Sequence, residues 1–280
     1  MGISIASTKT STKKTLGLMA GEGSLPAILA QSAAARGYDV VALALSPEAA
    51  ALVKPHCVKV FEIFPGQLGR NLKLAHGEGI REAVLIGKFP KLNLLRSVTK
   101  LDWTAVRELS SLTSWSDDAI QQTAGRVLER EGIKVLSQAE FLKHLFPEVG
   151  VLTRRMPTAA EYADIEYGLK MAKEIARLDI GQTVVVKDRI IVAIEGIEGT
   201  DEAIRRGVEL SRKPIVAVKV AKPGHDPRFD TPAVGVTTLN AMKAPKPGGV
   251  LAITSDETML VDRENSIRFA NENEMSIVVV

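Results

Sequence analysis

The first 45 residues leave little choice of fold. Thr15 to Ala20 is a short apolar run, Gly21-Glu-Gly-Ser-Leu-Pro26 turns the chain, Leu25 to Arg36 has helical composition that Gly37 stops, and Tyr38 to Leu45 is a second buried strand. A strand, glycine turn, helix and strand in that order is the unit from which parallel sheets are built. Val58 to Phe64, Ala83 to Ile86 and Ile133 to Leu136 supply further strands, separated by helical segments at Gln67 to His76, around Trp103 to Ser111, and at Asp117 to Glu131. The first half therefore reads as α/β with a parallel sheet.

A chain of 280 residues is long for one core, so two domains are expected. Phe146-Pro-Glu-Val-Gly150 through Met156-Pro157 has two prolines, a glycine and little apolar periodicity, which marks the boundary. The expectation is a polar tail over 1–15, a first domain over 16–147, a linker over 148–157 and a second domain over 158–280. That second domain opens with a helix from Thr158 to Leu178, where Tyr162, Ile165, Leu169 and Ala172 recur at helical spacing. Thr183 to Val186 and Ile190 to Ile194 form a hairpin about Lys187-Asp188-Arg189. Further elements are a helix over Asp201 to Leu210, a strand over Ile215 to Val220, a short helix over Leu239 to Ala244, strands at Val250 to Ile253 and Met259 to Val261, a helix over Arg263 to Glu272, and a final strand over Ser276 to Val280.

Composition removes several function classes. The hydrophobic fraction of 45% and charged fraction of 25% are those of an ordinary globular chain, and no apolar run approaches the roughly 20 residues needed to cross a bilayer. A net charge of +3 with interspersed acids, and aromatics at 4%, argue against nucleic acid as a partner. One cysteine, Cys57, forms no internal disulfide, and Met1 to Thr15 lacks the apolar stretch of a secretory signal, so a cytoplasmic location is expected. His56, His76, His144 and His225 lie far apart, which disfavours zinc. There is no G-x-S-x-G and no P-loop.

Three segments carry the chemistry. The glycine turn, Gly21, Gly23 and Ser24, offers backbone N–H groups at a helix start, a phosphate nest, with Ser24 as a cap. NAD is disfavoured, because Pro26 stands where the dinucleotide fingerprint needs its third glycine and Leu45-Ser46-Pro47 offers no acid for a ribose. Lys88 follows a buried strand at the carboxyl edge, to pair with phosphate or simply to end the strand in solvent. Glu195, Glu198 and Asp201 surround glycines and Thr200, as a metal or phosphate loop or as helix capping. The densest segment is the loop from Lys222 to Thr238, where Asp226 and Asp230 flank Arg228 between prolines and glycines. It sets two hard oxygen ligands beside a phosphate-pairing cation, and it reads as a loop, not a core.

Gly17-Leu-Met-Ala-Gly-Glu-Gly-Ser-Leu-Pro26, Glu195-Gly-Ile-Glu-Gly-Thr-Asp-Glu-Ala-Ile-Arg-Arg-Gly207 and Lys222-Pro-Gly-His-Asp-Pro-Arg-Phe-Asp-Thr-Pro-Ala-Val-Gly235 together resemble the LpxI-type UDP-2,3-diacylglucosamine pyrophosphatases across nearly the whole chain. The resemblance implies an N-terminal Rossmann-like nucleotide-binding domain and a C-terminal mixed α/β catalytic domain with substrate between them. It implies hydrolysis of UDP-2,3-diacylglucosamine to UMP and 2,3-diacylglucosamine 1-phosphate, with Mg²⁺ or another divalent cation, at the cytoplasmic face of the inner membrane in lipid A synthesis. The family's essential aspartate, in its Gln-Asp-x-Arg-x-Asp-x-Pro run, falls on Asp226. His225 stands where the family commonly has glutamine, and Glu22 where it commonly has a glycine.

On that resemblance Asp226, with Asp230 or Glu195, would hold the metal, or Asp226 would act as general base; both roles ask for an ionised carboxylate. Arg228 and Lys222 would stabilise charge on the leaving phosphate. The turn at Gly21 to Ser24 would position the UDP portion, with Lys88, Glu198 and Thr200 as further substrate contacts. Leu92, Leu94 and Leu95 beside Lys91, Arg96 and Lys100 are a candidate membrane-contact patch or a half-buried loop. The oligomeric state is open, a homodimer included. Two other readings share the frame: a nucleotide-sugar transferase, and a nucleotide-sugar sensor without turnover.

Overall fold

A computed structural model describes residues 14–88, 101–110, 117–224, 226, 228–229 and 231–280. The chain divides into two units, the first running to Phe141 and taking in Arg228 and Phe229 from later in the sequence, the second holding the remainder. Each is an α/β body around its own sheet.

In the first unit, β1 (Thr15–Ala20), β2 (Asp39–Ala44), β3 (Lys59–Glu62), β4 (Glu82–Ile86) and β5 (Lys134–Val135) pair in the order β3-β2-β1-β4-β5. Every pairing is parallel, which is the Rossmann-like order. β1 is apolar without alternation because both of its faces are covered: Leu16 and Leu18 are fully buried, and Met19 joins the cluster on one side. The helix α1 (Leu25–Ala35) buries Leu29, Ala30 and Ala33. A second helix, α2 (Pro47–Val53), is absent from the sequence reading. Its signal is local: Ser46 accepts the Ala49 N–H at 3.1 Å, Pro47 occupies the first turn and Glu48 follows.

α3 (Leu68–Gly77), α4 (Trp103–Ser110), α5 (Asp117–Arg130) and α6 (Gln138–Leu142) complete the helices described up to residue 142. Leu72 and Ala75 from α3, with Ile120, Val127 and Leu128 from α5, pack on Val41, Leu43, Leu85 and Val135 of the sheet. Phe229 belongs to the same cluster, and a Cβ added to Gly125 of α5 would sit 2.5 Å from its ring. The charged loop therefore puts one aromatic into a core, a departure from its reading as loop alone. Phe229 is flanked by Arg228, whose guanidinium lies 5.1 Å over its ring, so its apolar face was masked by charged neighbours in sequence.

The second unit has a six-stranded sheet in the order β6-β13-β11-β9-β7-β8. Its strands are β6 (Gly150–Val151), β7 (Thr183–Lys187), β8 (Ile190–Ile194), β9 (Val216–Lys219), β11 (Val250–Ile253) and β13 (Ser276–Val279), while β10 (Ala233–Val234) pairs with β12 (Met259–Leu260) in a small parallel sheet. β9, β11 and β13 are parallel; β6, β7 and β8 run antiparallel to their neighbours, so the sheet is mixed. The segment expected as a linker contains β6, and Leu152 donates to Ile277 O at 2.9 Å while Arg155 reaches Ser276 and Glu161. Edge pairing needs only backbone groups, which prolines and glycines nearby do not prevent.

Both faces of this sheet are covered, and the strands alternate accordingly. Val184, Val186, Val216 and Val218 face Ile165, Ala172 and Ile175 of α7 (Ala159–Arg177). Val185, Ala217, Leu251 and Ile277 face the other way, onto Ile204 and Val208 of α8 (Thr200–Ser211), Leu239 of α9 (Val236–Ala241) and Ala270 of α10 (Arg263–Glu272). Two glycines let helices approach the sheet closely: a Cβ on Gly168 would lie 2.6 Å from Val218, and one on Gly207 2.6 Å from Val185. The β7–β8 hairpin turns on Asp188 and Arg189, both at positive φ, and the buried Asp164 carboxylate accepts both of their N–H groups at 3.1 and 2.6 Å. Among the described residues no helix is long and apolar enough to cross a membrane.

Replacing Phe229 by alanine removes a buried aromatic from the first core. A loss of about 3 kcal/mol or more is expected in chemical denaturation, and a loss under about 1 kcal/mol would show that Phe229 is not a core residue.

Candidate active site

The glycine turn after β1 is joined to the end of β4 by backbone. Gly21 donates to Ile86 O at 2.8 Å, Glu22 donates to Lys88 O at 2.9 Å, and Lys88 donates back to Glu22 O at 3.0 Å. A Cβ on Gly21 would lie 2.5 Å from Lys88 O and one on Gly87 2.8 Å from Glu22 O, so the clamp needs glycine on both sides. Glu22 serves through its main chain and its side chain is exposed, which is why an acid is tolerated there. The nest is thus smaller than the sequence implied. Gly21 is committed to β4, Pro26 has no N–H, and the turn's remaining donors are Gly23, Ser24 and Leu25. Ser24 occupies the N-cap position of α1, but its hydroxyl makes no capping bond. The Lys88 side chain is exposed at the carboxyl edge of β4.

In the second unit, four chain segments meet where β8 and β9 end and β7 begins. The Lys219 ammonium donates to Thr200 Oγ1 at 2.6 Å, and the Thr200 hydroxyl donates to Glu195 Oε1 at 2.9 Å. Glu195 Oε2 accepts the Gln182 N–H at 3.3 Å, and a Cβ on Gly181 would come within 2.2 Å of Glu195 O. Thr183, fully buried, lies 3.5 Å from Thr200 between hydroxyls. Both Glu195 oxygens therefore have protein donors, and Glu195 braces this corner. Glu198 is likewise internal to its loop: it accepts from Gly196 N–H at 3.1 Å and pairs with Arg206. Its own backbone N–H and Arg206 hold its carboxyl below the usual range. It reads as a brace of the Glu195–Gly199 loop.

Lys219 is the residue that sequence reasoning missed. It is 7% exposed, closing the strand Val-Ala-Val-Lys, and looks in sequence like any strand-end lysine. The one available signal was its place three residues before Lys222, at the root of the charged loop.

From that loop, Asp226 is half-buried and Lys222 pairs with Asp179 in the second unit, while Arg228 pairs with Glu129 in the first. Asp230, His225 and the Leu92–Lys100 patch lie outside the described residues. Among the described residues no three of His, Cys, Asp and Glu gather to hold a metal ion. Mg²⁺, however, commonly takes one or two carboxylates and completes its octahedron from waters and substrate phosphates. The Asp226 carboxylate, a hard oxygen donor, is of the kind that fits such an ion.

Burial pushes the Cys57 thiol up to about 11. The native thiolate fraction at pH 8 is then on the order of 10²-fold below that of the unfolded chain, and alkylation should be slower in proportion. Equal iodoacetamide rates in buffer and in urea would contradict that burial.

Comparison with known proteins places these elements. A family model described as the LpxI N-terminal domain matches residues 15–145, and one described as the LpxI C-terminal domain matches residues 148–278. The chain is 29% identical over 272 residues to UDP-2,3-diacylglucosamine pyrophosphatase LpxI of Caulobacter vibrioides, covering 92% of this chain and 95% of that one. Among solved structures, it is similar to N5-carboxyaminoimidazole synthetase from Staphylococcus aureus at 18% identity and a TM-score of 0.24, over 62% of this chain and 38% of that one. It is similar also to glycinamide-RNase-transformylase T from Mycobacterium tuberculosis at 13% identity and a TM-score of 0.25, over 65% and 44%. The chain thus spans less than half the length of either.

Proposed function

Since the chain belongs to the LpxI family through both of its halves, we propose that it hydrolyses the pyrophosphate of UDP-2,3-diacylglucosamine, releasing UMP and 2,3-diacylglucosamine 1-phosphate for lipid A synthesis. The supporting observation is coverage: the two family domains follow one another from residue 15 to residue 278, and the Caulobacter relative corresponds along nearly its whole length.

Water must reach a phosphorus atom shielded by anionic oxygens, so charge has to be neutralised before the bridging P–O bond breaks. Lys222 and Arg228 are the cations of the loop. Each is paired with an exposed or largely exposed carboxylate, Asp179 and Glu129. Pairs of that kind are worth about 0–1 kcal/mol, so a phosphate can compete for the cation. The Gly23, Ser24 and Leu25 N–H groups would receive the UDP portion. Asp226 would accept the proton of the attacking water or hold the metal ion, in company with Asp230 on the family pattern. Mg²⁺, when bound, supplies neutralisation across the two phosphates. A substrate with two acyl chains makes the cytoplasmic membrane surface the place of work, met peripherally.

The direct test is UMP release from UDP-2,3-diacylglucosamine by purified protein. A conjugate with a second acceptor would instead indicate a transferase, and binding without turnover a sensor. EDTA should abolish the activity and Mg²⁺ restore it; full activity in chelator with metal content verified as negligible would remove the ion from the mechanism.

Asp226→Ala should fold normally, keep its affinity for substrate, and lose at least 10²-fold in kcat, on the order of 2.7 kcal/mol in the barrier. A folded Asp226→Ala protein with near wild-type kcat would refute the assigned site.

A further inference from the structure

We propose that Lys219 is a phosphate-binding cation of this protein, its ammonium held by Thr200 so as to pair with the pyrophosphate of the substrate. The inference rests on the reading of the chain as a pyrophosphatase. Its starting observation is the state of a buried charge. Lys219 is 7% exposed, and an ammonium taken that far from water is costly unless acceptors surround it. Of its three N–H bonds, one goes to Thr200 Oγ1 at 2.6 Å; among the described residues no carboxylate lies within ion-pair distance and no other acceptor is bonded to it. Glu195 is reached only through the Thr200 hydroxyl.

A purely structural lysine would be expected to pair directly with Glu195, which is close enough to share its partner. Here the carboxylate instead spends its second oxygen on the Gln182 N–H. The positive charge is oriented but not cancelled, with donors in hand. The position agrees: Lys219 ends β9, at the carboxyl edge where open α/β sheets bind ligands, and the chain runs from it into Lys222 and Asp226.

The test is calorimetric titration of inorganic pyrophosphate and of UDP into wild type, Lys219→Met and Lys219→Gln, without metal, alongside thermal unfolding of each. Lys219→Met should weaken pyrophosphate binding at least 10-fold and flatten its dependence on salt, while Tm stays level or rises, because a buried charge replaced by an isosteric apolar chain is not missed by the fold. Lys219→Gln keeps a donor for Thr200 without the charge and should show the same loss; it carries the test if the methionine variant does not fold. Unchanged pyrophosphate affinity in a folded variant, or a Tm drop with affinity intact, would make Lys219 structural and overturn the proposal. These binding measurements do not depend on turnover, so a wild type that fails to release UMP would sink the pyrophosphatase reading while leaving the Lys219 result to be scored.

Discussion

Parallel pairing is the constraint from which the rest follows. In the first unit all five strands run the same way, and in the second β9, β11 and β13 do. Parallel neighbours need a crossover between them, so every such strand ends at one edge of its sheet and hands the chain to a loop there. The glycine turn, Lys88, the Glu195–Thr200 loop and the Lys222–Thr231 loop all leave such edges or lie beside them. The central strands β1, β2 and β11 are buried almost throughout, so the charge there falls at the strand ends.

The parallel strands were legible because a strand buried on both faces reads as an unbroken apolar run, as Leu16 to Ala20 and Val40 to Ala44 do. The hairpin at Asp188–Arg189 was legible from its three polar residues between two β-branched runs. The elements that escaped are those whose stability lies elsewhere. β6 is two residues long and exists by pairing with β13, 127 positions later at Val151 and Val278, a contact that no local pattern announces. α2 is seven residues long and depends on its Ser46 cap. The short helix expected at Leu239 to Ala244 instead spans Val236–Ala241, starting directly after the extended Gly235 that follows β10.

The site was legible in part, and for a definable reason. Glycines and prolines around charged residues mark where the loops lie, since backbone requirements are written locally. They did not say which polar atoms were already spent. Gly21 was counted as a phosphate donor, but its N–H closes onto Ile86. Glu195 was read for its carboxylate alone, and its bonds to Thr200 and to the Gln182 N–H were not visible in sequence. Phe229 was counted with its charged neighbours, although it fills a core. In each case the competing partner comes from another segment, and a single sequence does not show long-range hydrogen bonds.

Thr200 explains why the corner is built from three residues where two would pair. An ammonium placed directly on a carboxylate gains attraction but loses its charge to anything outside, and both groups still pay for desolvation. A hydroxyl can accept from the one and donate to the other at the same time. It fixes the geometry of both at 2.6 and 2.9 Å and leaves the cation electrostatically available. Valine, of the same shape, would orphan a buried donor on one side and an acceptor on the other, so the position tolerates little besides threonine or serine. Thr200 is also the first residue of α8, preceded by Gly199 at φ +84, so the helix that packs Gly207 on Val185 also sets the hydroxyl's place. The packing of that helix on the sheet and the orientation of the buried lysine are therefore one structural fact, and a change that shifts α8 by even a few tenths of an ångström acts on the charge at the edge.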